Sequence, residues 1–212
     1  MVRSSIISLS FFLTSIIGLG SAQVVNPAQN VVANFDDGTV NTAVGVYDDL
    51  RFSGFNFAKS NLKSSSSQLA AVAKLSTNTL TSDPPSIDIA YSGSDVAWFQ
   101  PQSLNFGCIL NLPGLPGAPL TCTLLFTPYR AVANPDGSQS FQPLAQQKET
   151  SVPGLNTSDG MRKITFGSTG NIVRMVVTIE DTGKTIAGIL NGVLGSTVSL
   201  VIDDFKFIIA HN

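Results

Sequence analysis

The sequence predicts an all-β chain, an antiparallel β-sandwich of jelly-roll type carrying one disulfide. Three observations carry that expectation. Apolar residues recur at every second position over short runs, as in "NIVRMVVTIED", where Val173, Met175, Val177 and Ile179 face one way and Arg174, Thr178 and Glu180 the other. Clusters of Gly, Pro, Asn, Asp and Ser punctuate those runs. Only 12% of the residues are charged, so the surface has to be built largely from hydroxyl and amide groups. Many short strands between such turns are the pattern of a sandwich or jelly roll.

The chain opens with Arg3, an apolar run over residues 5–18 and the small residues Gly20, Ser21 and Ala22. These are the charged, hydrophobic and cleavage regions of a secretory signal peptide, so residues 1–22 are set apart and the mature protein is expected to begin at Gln23. The apolar run is short for a membrane span, which needs roughly 20 residues. Residues 23–212 are expected to form one sandwich domain, because no internal repeat and no long linker divides them. The apolar stretch "TIAGILNGVLGSTVSLV" is followed by Asp203, Asp204 and Lys206, which breaks the pattern of a lipid-anchor signal.

The first expected strand, 30–36, runs into "FDDGT", and a second Asp-Asp pair, Asp48-Asp49, precedes a strand at 51–58. Residues 64–75, "SSSSQLAAVAKL", and 184–195, "KTIAGILNGVLG", are read as short helices or loops, since neither has the capped length of a firm helix. Further strands are expected at 86–91, 95–99, 103–111, 121–132, 162–166, 171–180 and 197–209, with turns at "SDPPS" (82–86), "NPDG" (134–137) and "GSTGN" (167–171).

Cys108 and Cys122, the only cysteines, have thirteen residues between them. Each shares the parity of the apolar residues in its strand, Leu104, Phe106 and Leu110 for one and Leu124 and Phe126 for the other. Both sulfurs therefore point to the core, and an oxidising, extracellular compartment makes a disulfide the expected outcome. Asn156-Thr157-Ser158 is a glycosylation sequon and places Asn156 at the surface if it is used.

The last expected strand contains a third acidic pair, in "VIDDFKF". By strict alternation Asp37 lies on the face of Phe35, and Asp203 on the face of Val201, Phe205 and Phe207. A carboxylate turned inward with phenylalanines carries a large desolvation cost, which a bound cation removes. Calcium suits carboxylates and backbone carbonyls outside the cell, so Asp36, Asp37, Asp203 and Asp204 are candidate ligands. The alternative is that each pair simply shapes a turn, as "DDG" and the loop-placed Asp48-Asp49 both suggest.

Catalysis is the weaker expectation. The only histidine, His211, sits next to the C-terminus of the sequence, so histidine-based triads and zinc sites lack ligands. The two glutamates, Glu149 and Glu180, lie among polar neighbours, and Asp88 and Asp95 are explained by a hairpin turn around "IAYSGS". With Arg3 removed, eleven basic side chains face fourteen acidic ones. That balance argues against nucleic acid or an anionic membrane as partner.

Binding has a short aromatic inventory. Trp98 is the only tryptophan, followed by Phe99 and Gln100, with Tyr91 nearby in sequence and Tyr129-Arg130 further on. Sugar recognition stacks an aromatic face on a pyranose and hydrogen-bonds its hydroxyls through amides or guanidinium groups. Tyr91, Trp98, Gln100, Tyr129 and Arg130 have that chemistry. Packing of Trp98 in the core is the competing expectation.

"NFDDGT", "YDDLRFSGFNF" and the closing "VIDDFKF" resemble the carbohydrate-binding modules of the galactose-binding-like jelly-roll type, and small fungal secreted proteins built on that plan. The resemblance implies a structural calcium held by Asp36 or Asp37 together with Asp203 or Asp204. It also implies a secreted, extracellular, non-catalytic module whose partner is a cell-wall or host glycan. Two alternatives stand beside it: a secreted structural or effector-like protein that binds another protein, and a polysaccharide-degrading enzyme.

Overall fold

The computed structural model describes residues 27–62, 69–75, 83–112, 117–153, 160–180 and 197–212. The signal segment 1–22, the sequon at Asn156 and the segment 184–195 lie outside these residues. Within them the chain is all-β. The strands are β1 (Gln29–Ala33), β2 (Ala43–Tyr47), β3 (Leu50–Lys59), β4 (Leu69–Leu75), β5 (Ser86–Asp88), β6 (Val96–Asn111) and β7 (Ala118–Leu120). They continue with β8 (Cys122–Ala133), β9 (Gln139–Pro143), β10 (Gln147–Ser151), β11 (Arg162–Thr165), β12 (Arg174–Ile179) and β13 (Thr197–His211).

All pairings are antiparallel, and one hydrogen-bonded path runs β10-β8-β12-β5-β3-β4-β13-β6-β11. The path curls so that β10-β8-β12-β5-β3 and β4-β13-β6-β11 enclose a common core. Strand β13 holds the second layer together: its first half pairs with β4, its second half with β1, and β6 runs along its other edge. The disulfide Cys108–Cys122 joins β6 to β8, tying one layer to the other through the core.

Alternation explains why these residues form strands. In β8, Leu124 and Phe126 are buried in the main core, and in β12 Met175 and Val177 are, while Thr123, Leu125, Arg174 and Thr178 are only partly buried. Phenylalanines fill the space between layers. Phe106 and Phe126 meet edge to face at 5.8 Å, as Phe52 and Phe205 do at 6.4 Å.

Several expectations are corrected. Residues 69–75, read as helix or loop, form β4, held in register between β3 and β13. Its alanines explain both the ambiguity and the outcome. Ala70 packs on one face and Ala71 and Ala73 on the other, so an Ala-rich segment fits as an internal strand wherever both faces are covered. The separate strands expected at 95–99 and 103–111 are one, β6, with Pro101 seated beside a register shift in β13, where a missing N–H is tolerated. Strands β9 and β10 had no apolar alternation to reveal them.

The parity of β13 also changes. Val198, Leu200 and Ile202 face the main core, yet so do Phe205, Phe207 and Ile209. A bulge at Asp203 and Asp204, where Asp204 has φ 47°, inserts the extra residue that flips the phase. Val201 therefore faces a second, outer cluster with Leu62, Ala70, Ile109 and Met161, not the face of Phe205. This cluster is close-fitting: a Cβ at Gly107 would come within 2.5 Å of Leu62 Cδ1. Asp203 is buried as expected, but it precedes the phase change and so shares the parity of Val201 rather than that of Phe205 and Phe207.

Candidate functional site

Trp98 is half-buried, and its neighbour Phe99 is fully buried in the core, so alternation along β6 turns Trp98 and Gln100 to the outer face of the second layer. The register places Ala210 opposite Trp98, and Ile208 opposite Gln100, with Asn30 of β1 beyond Ile208. Ala210 has only a methyl group to cover it, yet it is 3% exposed. The register sets Trp98 directly across from it on the same face. Val32, 47% exposed, and Lys206 continue the same face across β1 and β13. The result is a shallow platform with one aromatic group, apolar aliphatic neighbours and amide edges.

The other predicted binding residues do not join it on one face. Tyr129 and Arg130 are consecutive in β8 and point to opposite sides. Tyr129 pairs with Arg174 on the outer face of the first layer, while Arg130 donates from Nε to Gln142 Oε1 of β9 at 2.8 Å. The Tyr91 hydroxyl donates to the backbone carbonyl of Asp49 at 3.2 Å. Next to Tyr129 lies a row that was not foreseen: Arg174, Asp88 and Arg51 are cross-strand neighbours on β12, β5 and β3. Asp88, 3% exposed, is held by Arg51 Nη2 at 2.8 Å. With the Ala90 N–H, which donates to it at 3.0 Å, that ion pair satisfies the buried Asp88 carboxylate.

The acidic pairs have separate surroundings. Phe35 has φ 60°, which ends the alternation of β1, sends its ring into the core and leaves Asp36 and Asp37 exposed. The expected inward Asp37 is thereby corrected. Its carboxylate instead accepts a hydrogen bond of 2.7 Å from the Tyr47 hydroxyl. Burial, followed by that bond to Asp37, pushes the Tyr47 hydroxyl far above its ordinary range.

Asp48 and Asp49 both adopt positive φ and form the two-residue turn joining β2 to β3, the mirror-image type that suits hairpin twist. Desolvation first, then Asp37 and Asp49, raises the pKa of Asp48. Asp204 accepts from Asn105 Nδ2 at 2.8 Å, and Asp203 accepts from the Asp204 backbone N–H at 2.8 Å. Among the described residues no group of three His, Cys, Asp or Glu side chains is placed to hold a metal ion together.

His211 lies between two carboxylates, with Nδ1 3.0 Å from Asp95 and Nε2 3.9 Å from Asp49. The contact ties the end of β13 to the β5–β6 connection. The His211 side chain lowers the pKa of Asp95.

A cleft of about 570 Å³ opens where the two layers part, between β8–β10 and the segment 166–169. Phe126, Phe166, Met175 and Leu144 form its apolar surface, and Gln147 and Ser168 stand at its polar side. Gln147 donates both to Glu149 Oε1 at 2.9 Å and to the Thr165 carbonyl at 3.1 Å, bridging the layers. Sequence reasoning missed this cleft, because its walls come from three strands and two loops that only the folded chain brings together.

No protein-family model matches the chain, and no curated protein matches it. Among solved structures, the CBM22-2 xylan-binding domain from Paenibacillus barcinonensis Xyn10C aligns over 84% of this chain and 97% of its own, at 14% identity and a TM-score of 0.36. At that identity and score, no ligand or activity passes from one to the other.

Proposed function

We propose that this chain is a secreted, non-catalytic module that binds cell-wall or host glycans. The observation that carries it is the half-buried Trp98 beside Gln100 on the outer face of β6. The indole offers a flat apolar surface for the C–H face of a pyranose, and Gln100 and Asn30 offer donors and acceptors for its hydroxyls. Lys206 supplies the one charged group among the platform residues named above. The face therefore suits an uncharged polysaccharide presented as a strand or sheet.

Secretion, with cleavage before Gln23, and glycosylation at Asn156 belong to the same proposal and rest on the sequence. So does a structural calcium ion whose acidic ligands are drawn from Asp36, Asp37, Asp203 and Asp204. Two observations support it: the burial of Asp203, and the pairing of β1 with β13, which brings the two acidic ends to adjacent strands. Any such site uses at most two acidic side chains and takes its remaining oxygens from backbone carbonyls and water, a mixture calcium accepts.

The experiment is depletion of the protein from solution by insoluble cellulose, chitin, xylan and β-1,3-glucan, with wild type and Trp98→Ala in parallel. Retention on one of these matrices that falls tenfold or more in the variant, about 1.4 kcal/mol, supports the proposal. Equal retention of both proteins, or none on any matrix, sinks it.

A further inference from the structure

The cleft between the layers is a second site, and we propose that it takes a neutral sugar ring at the end of a glycan chain. The inference deepens the glycan-binding proposal but uses different residues and a different layer junction from the Trp98 platform. Its volume of about 570 Å³ lies in the roughly 300–1,000 Å³ range of small-molecule sites. The apolar surface is aromatic and adaptable: Phe126 and Phe166 meet edge to face at 5.5 Å, and Met175 lies beside them.

The polar side of the cleft explains the neutrality. Among the described residues the charged side chains at the cleft are paired: Glu149 with Arg162 at 2.6 Å, and Lys148, which lines it, with Glu180. Each charge is offset by its partner, so the described lining favours a neutral ligand over an ionic one. Gln147 commits both amide hydrogens, one to Glu149 and one to Thr165, so its Oε1 is left as an acceptor at the cleft. Ser168 adds an exposed hydroxyl on the facing loop. A ligand that fits must donate a hydroxyl to Gln147, exchange hydrogen bonds with Ser168 and lay an apolar face on Phe126 and Phe166. A pyranose does all three. The cleft opens at the parted edge of the sandwich rather than along a flat sheet face, which suits a chain end better than the middle of a strand.

The chain contains reporters for both sites. Trp98 is its only tryptophan, Met175 walls the cleft, and Met161 belongs to the outer cluster and does not line the cleft. The test is NMR on protein carrying 13C-methyl methionine and 15N indole. It is titrated with cellohexaose, chitohexaose, laminarihexaose and xylohexaose, and with a trigalacturonate as the charged control. The expected result is a saturable shift of the Met175 methyl with at least one neutral hexasaccharide, none with the trigalacturonate, and no shift of Met161. Ala145→Phe, which adds a ring at an exposed cleft position, should abolish the Met175 response and leave the Trp98 indole response intact.

A Trp98 shift with Met175 silent overturns the cleft site alone. A Met175 shift with Trp98 silent supports the cleft and overturns the platform, while silence of both overturns the two together. A Met175 shift caused equally by the trigalacturonate overturns the assignment of a neutral ligand.

Discussion

Arg162 of β11 and Glu149 of β10 meet at 2.6 Å, joining the two strands at opposite ends of the sheet path. The second Glu149 oxygen accepts from Gln147, and a second Arg162 nitrogen donates to the Thr150 carbonyl at 2.6 Å. A curled sheet with two free edges is thereby clasped where its layers part, at the margin of the cleft. Polar edge strands and paired charges also discourage edge-to-edge association.

The two partners should not be equal in effect. Arg162 is 43% exposed and Glu149 17%, so the attraction itself is screened and contributes about 0.5–1 kcal/mol. Removing Arg162 strands a mostly buried carboxylate and an unpaired Thr150 carbonyl, whereas Glu149→Gln leaves a neutral acceptor in place. Urea unfolding should show Arg162→Met to be the more destabilising substitution, by about 1 kcal/mol. Equal midpoints for the two variants would contradict the clasp.

Asp48 supplies a pH prediction. Its folded pKa is raised, by desolvation first and then by Asp37 and Asp49. A raised carboxyl favours folding fully below its unfolded pKa, and that stability is lost as pH rises through the folded value. At pH 7 the ionised group therefore opposes folding. Asp48→Asn keeps a residue that tolerates the positive φ of the turn. It should raise the melting temperature at pH 7, with the gain shrinking as the pH is lowered towards 3. Loss of stability at pH 7 would mean that the Asp48 charge is used, as in cation binding.

Calcium is tested by melting the protein with the ion and with EGTA, alongside Asp37→Ala and Asp203→Asn. A ligand at a hundred times its dissociation constant adds roughly 2.7 kcal/mol. On the proposed site, calcium raises the melting temperature and each substitution removes the rise. No rise in the wild type would leave the acidic pairs as turn and bulge residues.

What the sequence disclosed follows from where its signals are local. Alternation in Val173 to Ile179 reads directly as β12, the parity of Cys108 and Cys122 anticipates their bond, and Asp48-Asp49 sits in a turn as its composition suggests. Polar strands such as "QKETS" of β10 escaped, because a polar edge strand carries no apolar alternation even where its residues are partly buried. The bulge at Asp204 escaped because one residue at positive φ reverses every later side chain without changing composition. Of the predicted binding residues, Trp98 and Gln100 share a face because they are two apart in one strand. Tyr129 and Arg130 cannot, being adjacent. The cleft depends on pairing of β8, β10 and β12, which no local pattern encodes.

The most direct measurement is acrylamide quenching of Trp98 fluorescence, with and without the matrix or soluble glycan that retains the protein. With a single tryptophan, all of the signal comes from the platform. Glycan binding at that face predicts a shift of the emission to shorter wavelength and a saturable drop of at least twofold in quenching. Retention of the protein with unchanged Trp98 emission and quenching would contradict it, and would move glycan recognition away from the outer face of β6.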